Sequence, residues 1–599
     1  MPVRLPSIQL VLAAARASAL RFPFVLLAAL AATVFGVLLV GDDALWQRWF
    51  FPATLGLPLL LALALLAERR SWDPARRALL GLGGVLVLLA FMLLWPRWSE
   101  AVAFTRWFQL SVAFHLLAAF LPFVGYDEPN GFWQYNKALF LRFLTAGVFS
   151  AVLYVGLAIA LAALDQLFGV NVEDETYGRL WMIVAFLFNT WFFLGGVPDD
   201  LAALERSGDY PRGLKVFAQY ILVPLVTVYL VMLTAYLVKV IATQDWPSGW
   251  IGYLVSSVAA AGIFAILLVY PVREREGNRW IATYSRWFYI ALFPAIVMLW
   301  FAIWQRVSQY GVTEPRYFLT ILSIWLAGIA VYYTVRGSRR INLIPASLCV
   351  VALVTFFGPW SAYAVARRSQ THRLESILER TGLLVDGTVR PATGEISYMD
   401  RREINGTLRY LIQTHGTGSI EPWFGGSLAA IDTVGEGTSA SRRHEADERT
   451  RLITAYLGVP YVGPWQHGDF ERFNYLAQHG TEAVPIADYD YALRLEGAPG
   501  NTLSVAGELR LRYDSTAVAL ELLREDDVLA SVSLLPILER AQQYAGTGGD
   551  RNIPRDSLLG TAATPLARMA VYIRAASGQR TEEGVVLNSL TAEVYLGVR

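Results

Sequence analysis

Eleven long apolar runs occupy most of the first 360 residues and constrain the fold more than any other feature of the sequence. A helix needs about 20 predominantly apolar residues to cross a bilayer. The pattern therefore predicts a polytopic α-helical membrane protein with about eleven transmembrane helices, and the lipid bilayer is its first expected partner. The runs lie near residues 22–41, 49–67, 78–95, 102–125, 143–163, 180–197, 216–241, 249–271, 284–305, 317–335 and 342–360.

The charges between these runs predict the orientation. Placing the amino terminus in the cytoplasm puts about eighteen Lys and Arg residues in the inner loops and about six in the outer loops. An odd number of spans then carries the carboxy-terminal part to the opposite side. We therefore expect a multi-pass protein of the bacterial inner (cytoplasmic) membrane, with a cytoplasmic amino terminus and a periplasmic or extracellular carboxy-terminal domain.

The composition changes to an ordinary soluble mixture after Trp360. We expect two domains: a transmembrane helical bundle over residues 1–360 and an extracytoplasmic α+β domain over residues 361–599 that contains an antiparallel sheet. Its first part, 361–415, is predicted to be helical, and it becomes β-rich from about residue 485.

Local signals predict the helices of this second domain. Residues 361–380 lack Gly and Pro and are predicted to continue the last helix out of the membrane. Asp400 and Glu403 have the spacing of a capping box, which predicts the start of an amphipathic helix that stops at Gly416. The stretch 432–448 is rich in Gly, Ser and charge and is interpreted as a solvated loop.

A hydrophobic period of two replaces the helical period from about residue 489. It predicts a four-stranded antiparallel meander, then a helix near 534–544 and two late strands that complete the sheet. The four meander strands are predicted near 489–497, 504–513, 518–522 and 527–535, and the late strands near 568–575 and 588–597.

Polar residues are few inside the predicted spans, and none is Asp or Glu. Ion-driven transporters usually carry such a carboxylate, so its absence disfavours a transporter. The deep polar residues are Arg106, His115, Asn189 and Gln219. Asn189 and His115 are candidate binding residues. The alternatives are a helix–helix hydrogen bond for Asn189 and a packing role for His115.

Two outer loops carry the remaining candidate site residues. Asp42 and Asp43 lie in GDDALWQR, between the first two runs, where a carboxylate can act as a general base or metal ligand. Glu314 and Arg316 lie in YGVTEPRY, between the ninth and tenth runs. Arg316 can clamp a phosphate through its planar fork; alternatively, Glu314 and Arg316 pair with each other or hold the base of the outer domain.

Other chemistries lack their sequence signatures. The single cysteine, Cys349, lies in an apolar run, and the six histidines show neither HxH nor HExxH spacing. We therefore predict no metal site and no cofactor. The net charge of +1 gives no expectation of a nucleic-acid partner.

Five blocks together resemble an uncharacterised bacterial integral-membrane family, catalogued as domain of unknown function 4153. The resemblance covers roughly residues 140–415. It implies a multispan inner-membrane bundle and no particular reaction. The blocks are FNTWFFLGGVP (188–198), YPRGLKVFAQYILVPL (210–225), SRWFYIALFP (285–294), YGVTEPRY (310–317) and FGPWSAYAVARRSQTHRL (357–374).

Three functions remain open on this basis. The first is a membrane anchor that presents an outer domain to envelope components or partner proteins. The second is a membrane enzyme acting on a lipid-linked substrate, similar to the glycosyltransferases that use polyprenyl-phosphate sugars, with Asp42 and Asp43 as its catalytic candidates. The third is a transporter or flippase. Possible partners are therefore lipid-linked envelope precursors or envelope proteins.

Overall fold

The computed structural model describes residues 16–41, 44–95, 100–243, 251–273, 278–337, 340–425, 428, 439–463, 466–467, 470–477, 488–497, 502–525, 527–542, 551–581 and 584–598. The chain divides into two compact units, Met1–Arg373 and Leu374–Arg599. The first unit is helical and the second combines helices with two larger sheets and one short hairpin.

Each of the eleven apolar runs contains a helix, which confirms the predicted fold class. Among the described residues, nine helices are long and apolar enough to cross a membrane, and two more, α1 (Pro23–Leu39) and α11 (Leu343–Val354), are shorter. Short π-helical segments, Ile183–Phe188 and Phe217–Leu222, interrupt α6 (Asp174–Leu194) and α7 (Arg212–Thr243). The helices are α1 Pro23–Leu39, α2 Gln47–Arg69, α3 Pro74–Leu94, α4 Glu100–Phe120, α5 Pro129–Phe168, α6 Asp174–Leu194, α7 Arg212–Thr243, α8 Ile251–Val269, α9 Arg279–Tyr310, α10 Glu314–Arg336 and α11 Leu343–Val354.

Packing between these helices depends on close approach at small residues. A Cβ atom at residue 56 would lie 2.7 Å from the Cβ of Ala28, so α1 and α2 meet at Gly56. A Cβ atom at residue 262 would lie 2.0 Å from the ring of Phe288, so α8 and α9 meet at Gly262. Helices in a bilayer gain little from hydrophobic burial against each other, and tight packing at such positions is what holds them together.

The eleventh run differs from its prediction. Helix α11 ends at Val354, a non-helical stretch over 355–361 follows, and a new helix, α12 (Ala362–Arg380), begins. The expected continuous helix is therefore wrong. Gly358 has a positive φ of 75° and precedes Pro359, and a residue before proline is disfavoured in the helical conformation. We call residues 355–361 the helix break.

The second unit has a helical part built around the end of α12, α13 (Tyr398–His415) and α14 (Ser439–Tyr456). Helix α13 ends at Gly416, as predicted. Its predicted capping box is wrong, because the N-cap is Ser397, whose Oγ accepts a hydrogen bond from the Asp400 amide at 3.1 Å. The predicted loop over 432–448 is wrong for residues 439–448, the part that the structure describes, because these residues are helical.

Two larger sheets share one core with α15 (Leu535–Gln542), the helix predicted near 534–544. The strands are β1 Leu384–Val385, β2 Thr388–Val389, β3 Gln466–His467, β4 Phe470–Ala477, β5 Tyr491–Gly497, β6 Leu503–Ala506, β7 Leu509–Asp514, β8 Ala519–Arg524, β9 Asp527–Ser533, β10 Arg551–Ile553, β11 Leu559–Ala563, β12 Ala567–Thr581 and β13 Gly584–Val598. One sheet is the antiparallel meander β6-β7-β8-β9. The other contains β10-β4-β12-β13-β5 along its path, with β3 on β4 and β11 on β12.

The meander has the predicted number of strands but different members. The stretch predicted as one strand near 504–513 contains a turn at Gly507, whose φ is +55°, and therefore supplies both β6 and β7. The predicted first strand, β5, pairs instead with β13. The late strands β12 and β13 pair with each other and belong to the second sheet, so they do not complete the meander.

Candidate functional site

Arg21 joins three parts of the first unit, and we call its set of contacts the Arg21 clamp. Its guanidinium donates to both carboxylate oxygens of Glu68, at 3.0 and 2.9 Å. It also donates to the carbonyls of Val197 (2.9 Å) and Pro198 (2.7 Å) and to the carboxylate of Asp199 (2.7 Å). The side chains of Arg21 and Glu68 are 19% and 28% exposed. A partly buried, multiply bonded ion pair of this kind holds backbone segments together.

Arg142 of α5 contacts the end of α6 and the residues that follow it, next to the segment that Arg21 contacts. Its Nε and Nη2 donate to the Phe192 carbonyl at 3.1 and 2.6 Å, and its guanidinium lies 4.0 Å from the Phe192 ring centroid. The side chain runs so close to Gly196 that a Cβ atom there would lie 2.1 Å from Arg142 Nε. This contact explains why a side chain is excluded at residue 196.

The loop between α9 and α10 is bonded to the first turns of α12. Gln370 Nε2 donates to the carbonyls of Tyr310 (2.9 Å) and Val312 (3.1 Å), and the Val312 amide donates to Ser369 Oγ (2.9 Å). Gly311 lies between these bonds with φ +68° and ψ −179°, a conformation essentially restricted to glycine. The YGVTEPRY loop therefore fixes the start of α12.

Arg316 and Tyr317 complete this arrangement. Arg316 Nη1 donates to the carbonyls of Gly311 (2.8 Å) and Tyr310 (3.3 Å). This nitrogen of the guanidinium predicted to bind phosphate is therefore bonded to its own loop. The hydroxyl of Tyr317 donates to the Trp360 carbonyl in the helix break. Gln109 of α4 also reaches the break, donating to Thr355 Oγ1 at 2.9 Å.

Glu314 lies buried at the first position of α10, close to groups that the sequence did not connect with it. Burial raises the pKa of the Tyr363 hydroxyl. The nearby Glu314 carboxylate also raises this pKa, while a hydrogen bond to Thr105 and the charge of Arg106 lower it. Arg106 lies 5.3 Å from the ring centroids of both Tyr363 and Phe356. Tertiary structure therefore brings an acid, a phenol and a guanidinium from three helices together at the helix break.

Exposed cationic and aromatic side chains surround the same break. Phe357 and Trp360 are 59% and 56% exposed. Arg367 and Arg368 are exposed on α12, and Arg368 Nη2 reaches back to the Pro359 carbonyl at 3.4 Å. These four residues match no sequence motif that marks a binding site. The available signal was the change from FFGPW to the basic segment ARRSQTHR.

The other predicted site residues lie apart or outside the described residues. Asp42 and Asp43 lie outside them. His115 is exposed on α4, and its Nδ1 lies 2.7 Å from the Ser111 carbonyl of the same helix. Asn189 follows the π segment of α6, and no described residue donates a hydrogen bond to its buried Oδ1. The described residues hold no group of three or more His, Cys, Asp or Glu placed to bind a metal ion.

The nine long apolar helices among the described residues fit a multi-pass membrane protein, and a carboxy-terminal unit that contains both helices and sheets follows them. Residues 13–386 match the family described as Domain of unknown function (DUF4153), which covers more than half of the chain. The chain belongs to this family, as the resemblance predicted.

One relative is the uncharacterized protein PM1469 of Pasteurella multocida (strain Pm70), which is 23% identical over 278 residues. The alignment covers 45% of this chain and 46% of that protein, so the chain spans about half the length of this relative. No solved structure matches the chain.

Proposed function

We propose that the protein is a membrane scaffold whose helical bundle anchors the carboxy-terminal unit for binding envelope components or partner proteins. The observation that carries this proposal is the set of hydrogen bonds from Ser369, Gln370 and Tyr317 that fixes the start of α12. The described polar contacts of the YGVTEPRY loop stabilise the bundle and the entry into the helix that leads to the carboxy-terminal unit. A scaffold needs this fixation, whereas a ligand site needs polar groups directed toward the ligand.

The proposed location is the inner membrane of a bacterial cell envelope, with the amino terminus cytoplasmic and the carboxy-terminal domain periplasmic. The excess of Lys and Arg in the loops assigned to the cytoplasm supports this orientation. The enzyme alternative depends on Asp42 and Asp43, which lie outside the described residues.

A domain replacement tests the scaffold. Residues 381–599 are replaced by an unrelated exported domain of similar size, and the chimera is expressed in a deletion strain. We expect normal abundance in the membrane and no rescue of the deletion phenotype. Rescue by the chimera would contradict the scaffold, because the native domain would then be dispensable.

Two sets of point variants in the intact chain separate the alternatives. The double variant Asp42→Asn/Asp43→Asn is expected to rescue fully, and its failure at normal abundance would favour the enzyme. Glu314→Ala and Arg316→Ala are expected to lower abundance in the membrane, because both residues belong to the fixed start of α10. Loss of rescue at unchanged abundance would instead assign them to ligand binding.

A further inference from the structure

We propose that the helix break carries a binding site for the phosphate group of an anionic phospholipid, formed by Arg367 and Arg368 beside Trp360 and Phe357. The proposal rests on the chain's membrane-spanning helices and does not depend on the scaffold function. It assigns a lipid class and a position on the protein.

The charge around the break favours an anion. Residues 355–373 include Arg367, Arg368 and Arg373 and contain no Asp or Glu. The acid on the adjoining loop, Glu314, is buried. Arg367 is exposed and forms no hydrogen bond or ion pair with any residue that the structure describes. Among the described residues, no carboxylate therefore neutralises its guanidinium.

The position of Arg368 joins the cationic and apolar parts of the site. Its Nη2 reaches the carbonyl of Pro359, which places the guanidinium next to the residue that precedes Trp360. The Trp360 indole N–H donates to the Val354 carbonyl at 2.9 Å, so the polar edge of the ring is satisfied while the side chain stays 56% exposed. Tryptophan in this state suits the boundary between acyl chains and headgroups.

The apolar surface continues from the break along α11. Val350 and Val354, one turn apart on α11, are 57% and 51% exposed, and Phe357 in the helix break is 59% exposed. An acyl chain can lie along this surface while the phosphate meets the guanidinium groups one to two turns into α12. Arginine suits this role because its planar fork binds two phosphate oxygens at once. A zwitterionic lipid would bring a cationic group to the same arginines, so an anionic headgroup is preferred.

Native mass spectrometry of the full-length protein in mild detergent tests the site. The probes are phosphatidylglycerol and phosphatidylcholine with the same acyl chains, added at equal concentration. Each basic residue near a membrane surface contributes about 1 kcal/mol to binding of anionic lipid. Loss of both arginines should therefore make the variant Arg367→Gln/Arg368→Gln bind phosphatidylglycerol about thirtyfold more weakly than the unaltered protein.

The matched control is Arg76→Gln/Arg77→Gln, an adjacent pair of exposed arginines near the start of α3. The control is expected to retain phosphatidylglycerol binding, and Arg367→Lys/Arg368→Lys, which keeps the charge, is expected to retain most of it. Equal binding of the two lipids, or an equal loss in the control, would overturn the proposal. Millimolar inorganic phosphate is added in a separate measurement. If phosphate displaces phosphatidylglycerol and stays bound to the protein, the site belongs to the free ion and the proposal is overturned.

The Lys variant keeps the test decisive if the Gln variant does not fold. Its phosphatidylglycerol-to-phosphatidylcholine ratio is expected to stay well above one. A ratio of one would contradict the proposal. These measurements are independent of any deletion phenotype, so failure of the lipid site and failure of the scaffold are distinguishable.

Discussion

The Arg21 clamp and the helix break both use arginine, but they use it differently. Arg21 meets two carboxylates and two backbone carbonyls, and its charge is balanced within the protein. At the break, Arg316 meets loop carbonyls, Arg106 lies beside two rings, and Arg367 is exposed without a described carboxylate partner. A neutralised arginine stabilises the fold, whereas an exposed arginine without a described carboxylate partner can meet an anion.

The largest effect is expected for Arg21→Ala. The change leaves Glu68 and two carbonyls without their shared donor and should lower the free energy of unfolding by about 3 kcal/mol. The measurement is thermal unfolding of the purified protein in detergent. Arg76→Ala is the control, because its ion pair with Asp73 is exposed and worth about 0.5 kcal/mol. Equal losses in the two variants would show that the clamp is no stronger than a surface pair.

Gly311→Ala tests how firmly the loop holds the helix break. Alanine is strained at φ +68° and ψ −179°, and its Cβ would lie 2.7 Å from Gln370 Nε2, so we expect a loss of about 2 kcal/mol. Gly328→Ala on α10 is the control, since no atom lies within 4 Å of its added Cβ. A Gly311→Ala protein as stable as the control would contradict the fixed-loop interpretation.

A double-mutant cycle tests the contact between Arg142 and Gly196. Gly196→Ala should destabilise by about 1–2 kcal/mol, because the new methyl group displaces Arg142 from the Phe192 carbonyl. In an Arg142→Ala background the same change should cost much less. Gly195→Ala is the matched control, since its Cβ would meet its nearest neighbours at 3.5 Å or more. Additive effects of the two substitutions would show that the destabilisation by Gly196→Ala does not come from the contact with Arg142.

The smallest effect is expected for Asp400→Asn, which removes the carboxylate of an ion pair with Arg380 in the carboxy-terminal unit. The Ser397 hydroxyl and then the Arg380 guanidinium hold the pKa of Asp400 below its ordinary value of 3.8. A depressed folded-state pKa stabilises the protein above the ordinary value, and this stabilisation is lost as the pH falls through the depressed pKa. Asp400→Asn should therefore cost about 0.5 kcal/mol at neutral pH and nothing at strongly acidic pH. Thermal unfolding across pH measures it, and a pH-independent difference would exclude this cause.

Much of the fold follows from local sequence. The apolar runs predicted every helix from α1 to α11 because hydrophobic length is a property of contiguous residues. The end of α13 at Gly416 was predictable because a glycine that stops a helix is also a local signal in the sequence. The start at Ser397 was missed because two acidic residues farther along, Asp400 and Glu403, offered a competing signal. The prediction of the continuous helix failed because it gave the apolar character of residues 342–360 more weight than the Gly358–Pro359 pair.

The sequence by itself determined that the chain crosses a membrane repeatedly and that an α+β domain with antiparallel strands follows. Tertiary structure alone decided which strands share a sheet, since β5 pairs with β13 about a hundred residues away. It also brought Arg106, Glu314 and Tyr363 together from three helices. The reason is physical. The length and hydrophobic period of a segment depend on residues that are adjacent in the chain, whereas the partner of a charged group or of a strand depends on packing between distant segments.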